Sequence, residues 1–164
     1  MSDRSALSVS AWALILGAVG ILLLPLPWLL SAAFAACFHE ACHLMALRLL
    51  NGRLIGIRIG GHGAVIRAGE LSAPRELICL LAGPVGSLSL LLFARYIPRA
   101  AVCALLQSAY NLLPLYPLDG GRALRCIARL TLPPDSADRF CAVAENVCRG
   151  AIVICLGYLT VKFS

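Results

Sequence analysis

The chain has 164 residues, enough for one domain of ordinary size, and its composition excludes most soluble classes of protein. Hydrophobic residues make up 60% and charged residues 13%, about half of the roughly 25% typical of soluble domains. The net charge of +6 comes from arginines between apolar runs, which indicates cytoplasmic loops beside anionic lipid and not nucleic-acid binding. These values exclude a soluble enzyme, a disordered tail and a coiled coil. We therefore predict that residues 1–164 form a single integral membrane domain.

Apolar runs predict five transmembrane helices, because about 20 apolar residues cross the hydrocarbon core as a helix. The predicted spans are 8–30, 32–50, 76–94, 99–116 and 140–161. The first and last are accessory to a core of residues 32–122, and Pro25 and Pro27 mark the end of the first. The predicted fold class is therefore a membrane all-α bundle.

Two segments between the spans have other patterns. In 51–69, Ile and Val alternate with Arg around a glycine cluster, which predicts a membrane-associated β-hairpin between the second and third spans. Residues 120–132 predict a short amphipathic helix that ends at Pro133 and presents Arg122, Arg125 and Arg129 to lipid.

With five spans, ten arginines fall on one side of the membrane and three cations on the other. This bias predicts a cytoplasmic N-terminus and an outer C-terminus.

The strongest chemical signal is His39-Glu40-Ala41-Cys42-His43, an H-E-x-x-H motif on the second predicted span. Residues four apart project from one helix face, so both imidazoles can bind one Zn²⁺ while Glu40 reaches a water. An ionisable residue near the bilayer centre costs about 2.5–3.5 kcal/mol on insertion scales, so this group calls for a compensating partner. The alternative is a polar patch satisfied by hydrogen bonds between helices.

Catalytic zinc usually has three protein ligands, and Asp119 is the candidate for the third. It follows Pro114 and Pro117, which break the fourth span, and precedes Gly120 and Gly121, which allow tight turns. Asp119 could also, or instead, cap the short helix that follows it. Asn111 is a candidate donor to a substrate carbonyl or oxyanion, with capping of unwound backbone as the equal alternative.

Together, H-E-x-x-H and the later N-x-x-P-x-x-P-L-D-G-G resemble the site-2 protease family of intramembrane zinc metalloproteases. The resemblance is closest to the short sporulation branch that processes a membrane-bound sigma-factor precursor, and Ala82-Gly83-Pro84 also resembles a family segment. It implies one Zn²⁺ per chain, held by His39, His43 and Asp119, with Glu40 as general base and Asn111 in a supporting role. It further implies a bacterial multi-pass cell-membrane protein with its active site near the cytoplasmic face.

Two positions depart from the family pattern. Ser87 stands where the family often has Asn, and Cys42 replaces the usual Gly before the second histidine. We interpret Cys42 as a packed thiol and not a fourth ligand, because a closed site would exclude the catalytic water.

His62 is interpreted as an exposed turn residue, with a pH-sensitive or substrate contact as the alternative. Glu145 and Arg149 predict an intramembrane ion pair that faces the bundle, with a gating role as the alternative.

The predicted function is cleavage of a membrane-spanning or membrane-tethered protein within the lipid bilayer, with no nucleic acid involved. A membrane regulatory partner is a further candidate. The first rival is a metal transporter or sensor, which would keep its activity in a Glu40→Gln variant. The second is a catalytically silent membrane binding protein, which would be indifferent to loss of Glu40. A base beside an incomplete ligand set favours the protease, because a store or sensor needs no base there.

Overall fold

The computed structural model describes the backbone of residues 8–9, 24–52, 54–60, 63–68 and 71–163, and the side chains of 24–52 and 71–163. Most of the predicted first span and His62 lie outside the described residues. The five described helices are α1 (Leu26–Leu49), α2 (Ala73–Leu88), α3 (Pro98–Asn111), α4 (Asp119–Thr131) and α5 (Pro134–Phe163). A 3-10 helix, Ser89–Phe93, extends α2. The described part is mostly helical, as the predicted fold class requires.

Helix α1 begins earlier than the sequence predicted. Pro25 occupies its N-cap and Pro27 lies in its first turn, so these prolines start a helix, and the prediction that the second span begins at residue 32 was wrong. Proline suits this position because the first-turn N–H groups have no intrahelical partner. At the other end, Asn51 has a φ of 55°, and Gly52 N donates to Leu47 O at 2.8 Å. This left-handed turn ends the helix.

The outward face of α1 is apolar and its inward face is small or polar. Large exposed residues include Leu30, Phe34 and Met45, whereas Ala35, His39 and Cys42 are buried. This is the reverse of a soluble amphipathic helix and is typical of a helix that contacts lipid and packs through small residues. By length and composition, three described helices could cross a membrane: α1, α2 with its 3-10 extension, and α5.

Helix α3 packs against α1 and α2 but is shorter than predicted. It ends at Asn111, so the prediction that a helical span continues to Tyr116 was wrong. Its 14 residues reach about 21 Å, less than the roughly 30 Å hydrocarbon core. The helix cannot continue because Pro114 and Pro117 lack N–H donors and disfavour helical backbone at the residues before them. The irregular segment 112–118 leads directly into α4.

Helix α4 matches the predicted amphipathic helix within one residue at each end, and its arginines contact carboxylates of neighbouring helices. Arg122 Nη2 lies 3.7 Å from Glu76 Oε1 on α2. Arg125 Nη2 lies 2.7 Å from Glu145 Oε1 on α5, and Arg129 Nη2 lies 4.0 Å from Asp138 Oδ1. The prediction of a lipid-contacting arginine face therefore needs correction. The predicted Glu145–Arg149 pair is confirmed, with Nη2 3.4 Å from Oε2.

Three strands form one sheet in the order β1 (Ser8–Val9), β2 (Leu54–Gly60) and β3 (Gly63–Ala68). Strands β1 and β2 are parallel, and β2 and β3 are antiparallel with Gly60 opposite Gly63. Strands β2 and β3 occupy the segment of the predicted hairpin, whereas β1 lies where the first predicted span begins. Its side chains lie outside the described residues, and its association with the membrane stays a prediction.

Candidate metal centre

The two histidines of α1 face helix α2, which approaches closely enough to hold both rings. His39 is 1% exposed, and its Nδ1 lies 3.0 Å from Ser87 Oγ. His43 Nδ1 lies 2.7 Å from the carbonyl oxygen of Cys79. Both rings are therefore oriented through Nδ1, and each leaves its Nε2 atom for other contacts. Such outer hydrogen bonds fix the orientation and tautomer of metal-binding histidines.

Glycine allows this approach. A Cβ atom on Gly83 would collide with the imidazole of His43. One turn further along α2, a Cβ atom on Gly86 would collide with the side chain of Cys42. Residues 83, 86 and 87 share one helix face, and this face of small residues receives the larger side chains of α1. Cys42 is thus buried against Gly86, in agreement with its interpretation as a packed thiol.

Asp119 reaches the same place from the start of α4. The backbone of segment 112–118 packs tightly on the helix start, where a Cβ atom on Gly120 would collide with the Leu112 carbonyl. Leu118, and not Asp119, is the N-cap residue, and Asp119 makes no side-chain capping bond. The predicted capping role is therefore wrong, although the positive end of the helix dipole still favours a carboxylate there.

Three side-chain atoms converge at this point. His39 Nε2 and His43 Nε2 are 3.1 Å apart, and each lies 3.1 Å from Asp119 Oδ2. The predicted set of His39, His43 and Asp119 thus forms a nearly equilateral triangle, drawn from helices 76 residues apart in sequence. Within the described residues this is the one cluster of three or more side chains suited to a metal ion.

The protonation of these groups calls for a cation between them. Because the Cys79 carbonyl can only accept a hydrogen bond, His43 Nδ1 carries a proton, and Nε2 meets Asp119 either as a protonated donor or as a lone pair that faces a metal ion. Burial raises the pKa of the Asp119 carboxyl, but its interactions with His39 and His43 bring that pKa to about 2. A carboxylate and an imidazole lone pair only 3.1 Å apart repel each other unless a proton or a metal ion lies between them.

Zinc fits this donor set. Zinc is held by imidazole nitrogen and carboxylate oxygen at about 2.0–2.2 Å, which places neighbouring ligand atoms of a tetrahedral site about 3.3 Å apart. The 3.1 Å sides of the triangle differ from this by a few tenths of an ångström. Three protein ligands also leave a fourth position for water or substrate, as in catalytic sites.

The remaining two predicted residues lie beside the triangle. Asn111 Nδ2 is 3.3 Å from His39 Nε2, so the last residue of α3 faces the site. Glu40 is half-buried on α1 and lies close enough to His43 to interact with it electrostatically. The structure therefore brings all five predicted site residues, His39, Glu40, His43, Asn111 and Asp119, to one region.

Sequence reasoning missed several residues that support the site. It named Ser87 only as a departure from the family pattern and did not identify Gly86 or the Cys79 carbonyl. The spacing of Gly83, Gly86 and Ser87 was a usable signal, because small residues on one face mark close helix packing in membranes. No sequence signal points to a particular backbone carbonyl.

The fold is similar to a solved structure described as "Site-2 Protease from Methanocaldococcus jannaschii". The two align with a TM-score of 0.65 and 18% sequence identity, over 93% of this chain and 77% of that chain. At this identity the likeness shows the fold alone. No family model matches the chain, and no curated protein matches it.

Proposed function

We propose that the chain is an intramembrane zinc metalloprotease that holds one Zn²⁺ through His39, His43 and Asp119. The observation that carries this proposal is the convergence of three metal-binding atoms beside Glu40 and Asn111, with both histidines and Glu40 on a helix apolar enough to cross a membrane. The site-2 protease fold supports the same reaction class. A buried pair of histidines with a carboxylate serves catalysis if a base stands next to it, and Glu40 meets that condition.

The positions of the side chains indicate a separate role for each of them in the proposed reaction. When bound at such a site, zinc lowers the pKa of a coordinated water and polarises a substrate carbonyl. Glu40 accepts a proton from the attacking water and later gives it to the leaving amine. Asn111 donates through Nδ2 to the substrate carbonyl or the developing oxyanion. Ser87 and the Cys79 carbonyl keep the imidazoles oriented throughout.

The substrate is a single-span or membrane-tethered protein, such as a sigma-factor precursor or an anti-sigma factor of the sporulation type. A helical substrate must unwind before cleavage, because helix hydrogen bonds shield its carbonyls. The segment 51–69 can support this step by pairing with the extended substrate as an added strand. A membrane regulatory partner restrains the reaction until it is needed.

We propose that the N-terminus and the active site lie near the cytoplasmic face of a bacterial membrane, an orientation that the arginine bias supports. His43 lies six residues before the last residue of α1, Leu49, which is about 9 Å along the helix axis. A site this close to a helix end needs only a short water path. The multi-pass arrangement and orientation can be checked by labelling single introduced cysteines in a cysteine-free background from either side of the membrane.

The first test measures zinc per chain in detergent-purified protein, comparing the parent with Asp119→Ala. We expect about one zinc in the parent and a sharp loss in Asp119→Ala. Asp138→Ala is the matched control, since it removes an exposed carboxylate from the neighbouring helix and should keep the zinc. Folded parent protein that takes up no offered zinc would refute the mechanism.

The second test separates the protease from its rivals. The parent and Glu40→Gln are reconstituted in vesicles with tagged single-span membrane proteins, anti-sigma factors among them. We expect Glu40→Gln to retain zinc and to lose cleavage by about 100-fold or more, the size of a general-base contribution. Metal flux that survives Glu40→Gln would indicate a transporter. Substrate capture without cleavage, equal in both proteins, would indicate a binding protein.

A further inference from the structure

Arg125 on α4 joins three parts of the molecule. Its Nη2 donates to Glu145 Oε1 on α5 at 2.7 Å, and its guanidinium carbon lies 4.6 Å from the centroid of the Tyr116 ring. Arg149 Nη2 donates to the other oxygen of Glu145 at 3.4 Å. One carboxylate on α5 is thus connected through one guanidinium to the segment that carries Asp119.

Glu145 is 8% exposed, and attachment of the two helices alone does not explain a carboxylate at such a buried position. Taking a carboxylate out of water costs free energy, and a well-packed apolar pair would hold α5 against α4 at least as well. What an ion pair adds is direction, because the hydrogen bond to the carboxylate fixes where the guanidinium lies. The guanidinium carbon lies over the Tyr116 ring, and an aromatic face attracts a cation held there.

Burial restrains the Tyr116 side chain little, so its contact with Arg125 matters for its position. Its side chain is 55% exposed, yet its backbone is part of the packing beneath Asp119. A Cβ atom on Gly121 would lie 2.7 Å from Tyr116 N, and Leu118 N donates to Leu115 O at 2.8 Å. Segment 112–118 and the first turn of α4 are therefore packed together, and we expect a shift of Tyr116 to displace Asp119.

We propose that Glu145 is a positioning residue for the metal ligand Asp119 and acts through Arg125 and Tyr116. This inference rests on the zinc site of the proposed function. It assigns the buried ion pair of α4 and α5 a role in metal affinity that the exposed Arg129–Asp138 pair of the same two helices does not have.

The test measures the zinc dissociation constant of the full chain in detergent micelles by competition with a chromophoric chelator. Glu145→Gln should raise it about 10-fold, at the lower end of the effects of outer hydrogen-bond partners. Asp138→Asn, which neutralises a carboxylate that is 71% exposed on the same helix, should stay within about twofold of the parent.

A second pair of variants tests whether the effect of Glu145 on the site passes through Tyr116. Tyr116→Leu removes the ring and should match Glu145→Gln, whereas Tyr116→Phe keeps the ring face and should restore parental affinity. The thermal unfolding midpoint of each metal-free protein is measured alongside. A merely structural role would lower that midpoint and leave the zinc affinity of the folded protein unchanged.

Three results would overturn the inference. Glu145→Gln and Asp138→Asn could bind zinc equally well, or Tyr116→Leu could bind it as tightly as the parent. Alternatively, the parent could bind no zinc, which would remove the proposed function together with this inference. Zinc binding by the parent with no difference between variants would remove this inference alone.

Discussion

The contact between α1 and α2 and the contact between α4 and α5 position different ligands by different physical means. Where α1 meets α2, small residues and hydrogen bonds hold His39 and His43 in a buried, closely packed interface. Where α4 meets α5, arginine–carboxylate pairs of very different exposure hold the helix that begins with Asp119. The histidines are thus fixed by shape, and the aspartate by charge and by the segment 112–118.

This difference implies unequal tolerance to change. A steric interface fails when one atom is added, because a close-packed interior has no room to relax. An ion pair whose partners are both exposed weakens gradually, because water replaces the lost partner. A steric clash in the first region should therefore change the metal site more than the loss of a charge in the second.

The largest effect is expected from Gly83→Ala. The added methyl group collides with the His43 imidazole, so either the ring leaves the site or α2 moves away from α1. We expect the zinc dissociation constant to rise about 100-fold or more, the upper end of the range for lost support of a ligand. The measurement is chelator competition on purified protein.

Gly150→Ala is the control for Gly83→Ala. It makes the same change within a helix where a Cβ atom meets nothing within 4 Å. We expect it to bind zinc like the parent and to be slightly more stable, because alanine favours helix over glycine. Parental zinc affinity in Gly83→Ala would mean that α2 does not approach His43 as closely as described.

A smaller effect is expected from Ser87→Ala, which removes the Oγ atom 3.0 Å from His39 Nδ1. The ring then lacks its outer partner, and we expect the zinc dissociation constant to rise about 10-fold. Ser108→Ala is matched in burial, since both serines are 0% exposed. Ser108 Oγ donates to the Pro84 carbonyl at 3.2 Å and not to a ligand, so this variant should keep parental affinity. Equal affinities in the two variants would contradict the role of Ser87.

The sequence predicted the three metal ligands better than the residues that hold those ligands in place, for a physical reason. Two histidines four residues apart lie on one helix face whatever surrounds them, so His39 and His43 could be paired from spacing alone. Asp119 required only that Pro114 and Pro117 break the chain before α4. The supports depend on which helices meet and in what register. For that reason Arg125 was assigned to lipid, although it pairs with Glu145.

Helix boundaries that involve proline were predicted least well. A proline is compatible with the end of one helix and with the first turn of the next, so Pro25 and Pro27 could not decide between the two. The structure places both at the start of α1. Hydropathy could not decide either, because apolar residues lie on both sides of this boundary.

The smallest effect is expected at the partly exposed Arg122–Glu76 pair, which links α4 to α2. Its nitrogen and oxygen are 3.7 Å apart, and their side chains are 28% and 46% exposed. A double-mutant cycle with Arg122→Gln and Glu76→Gln should give a coupling free energy of about 0.5 kcal/mol or less in the free energy of unfolding. Added salt should reduce that coupling further, because ions screen exposed charges.

The same cycle on Arg125→Gln and Glu145→Gln completes the comparison between charged contacts. Glu145 is largely shielded from water, so removing either partner leaves a poorly solvated charge, and the coupling should exceed that of the exposed pair severalfold and depend less on salt. Equal couplings and equal salt dependence would show that burial does not distinguish the two pairs. In that case the pair with the buried carboxylate would hold α4 no more firmly than the exposed pair does.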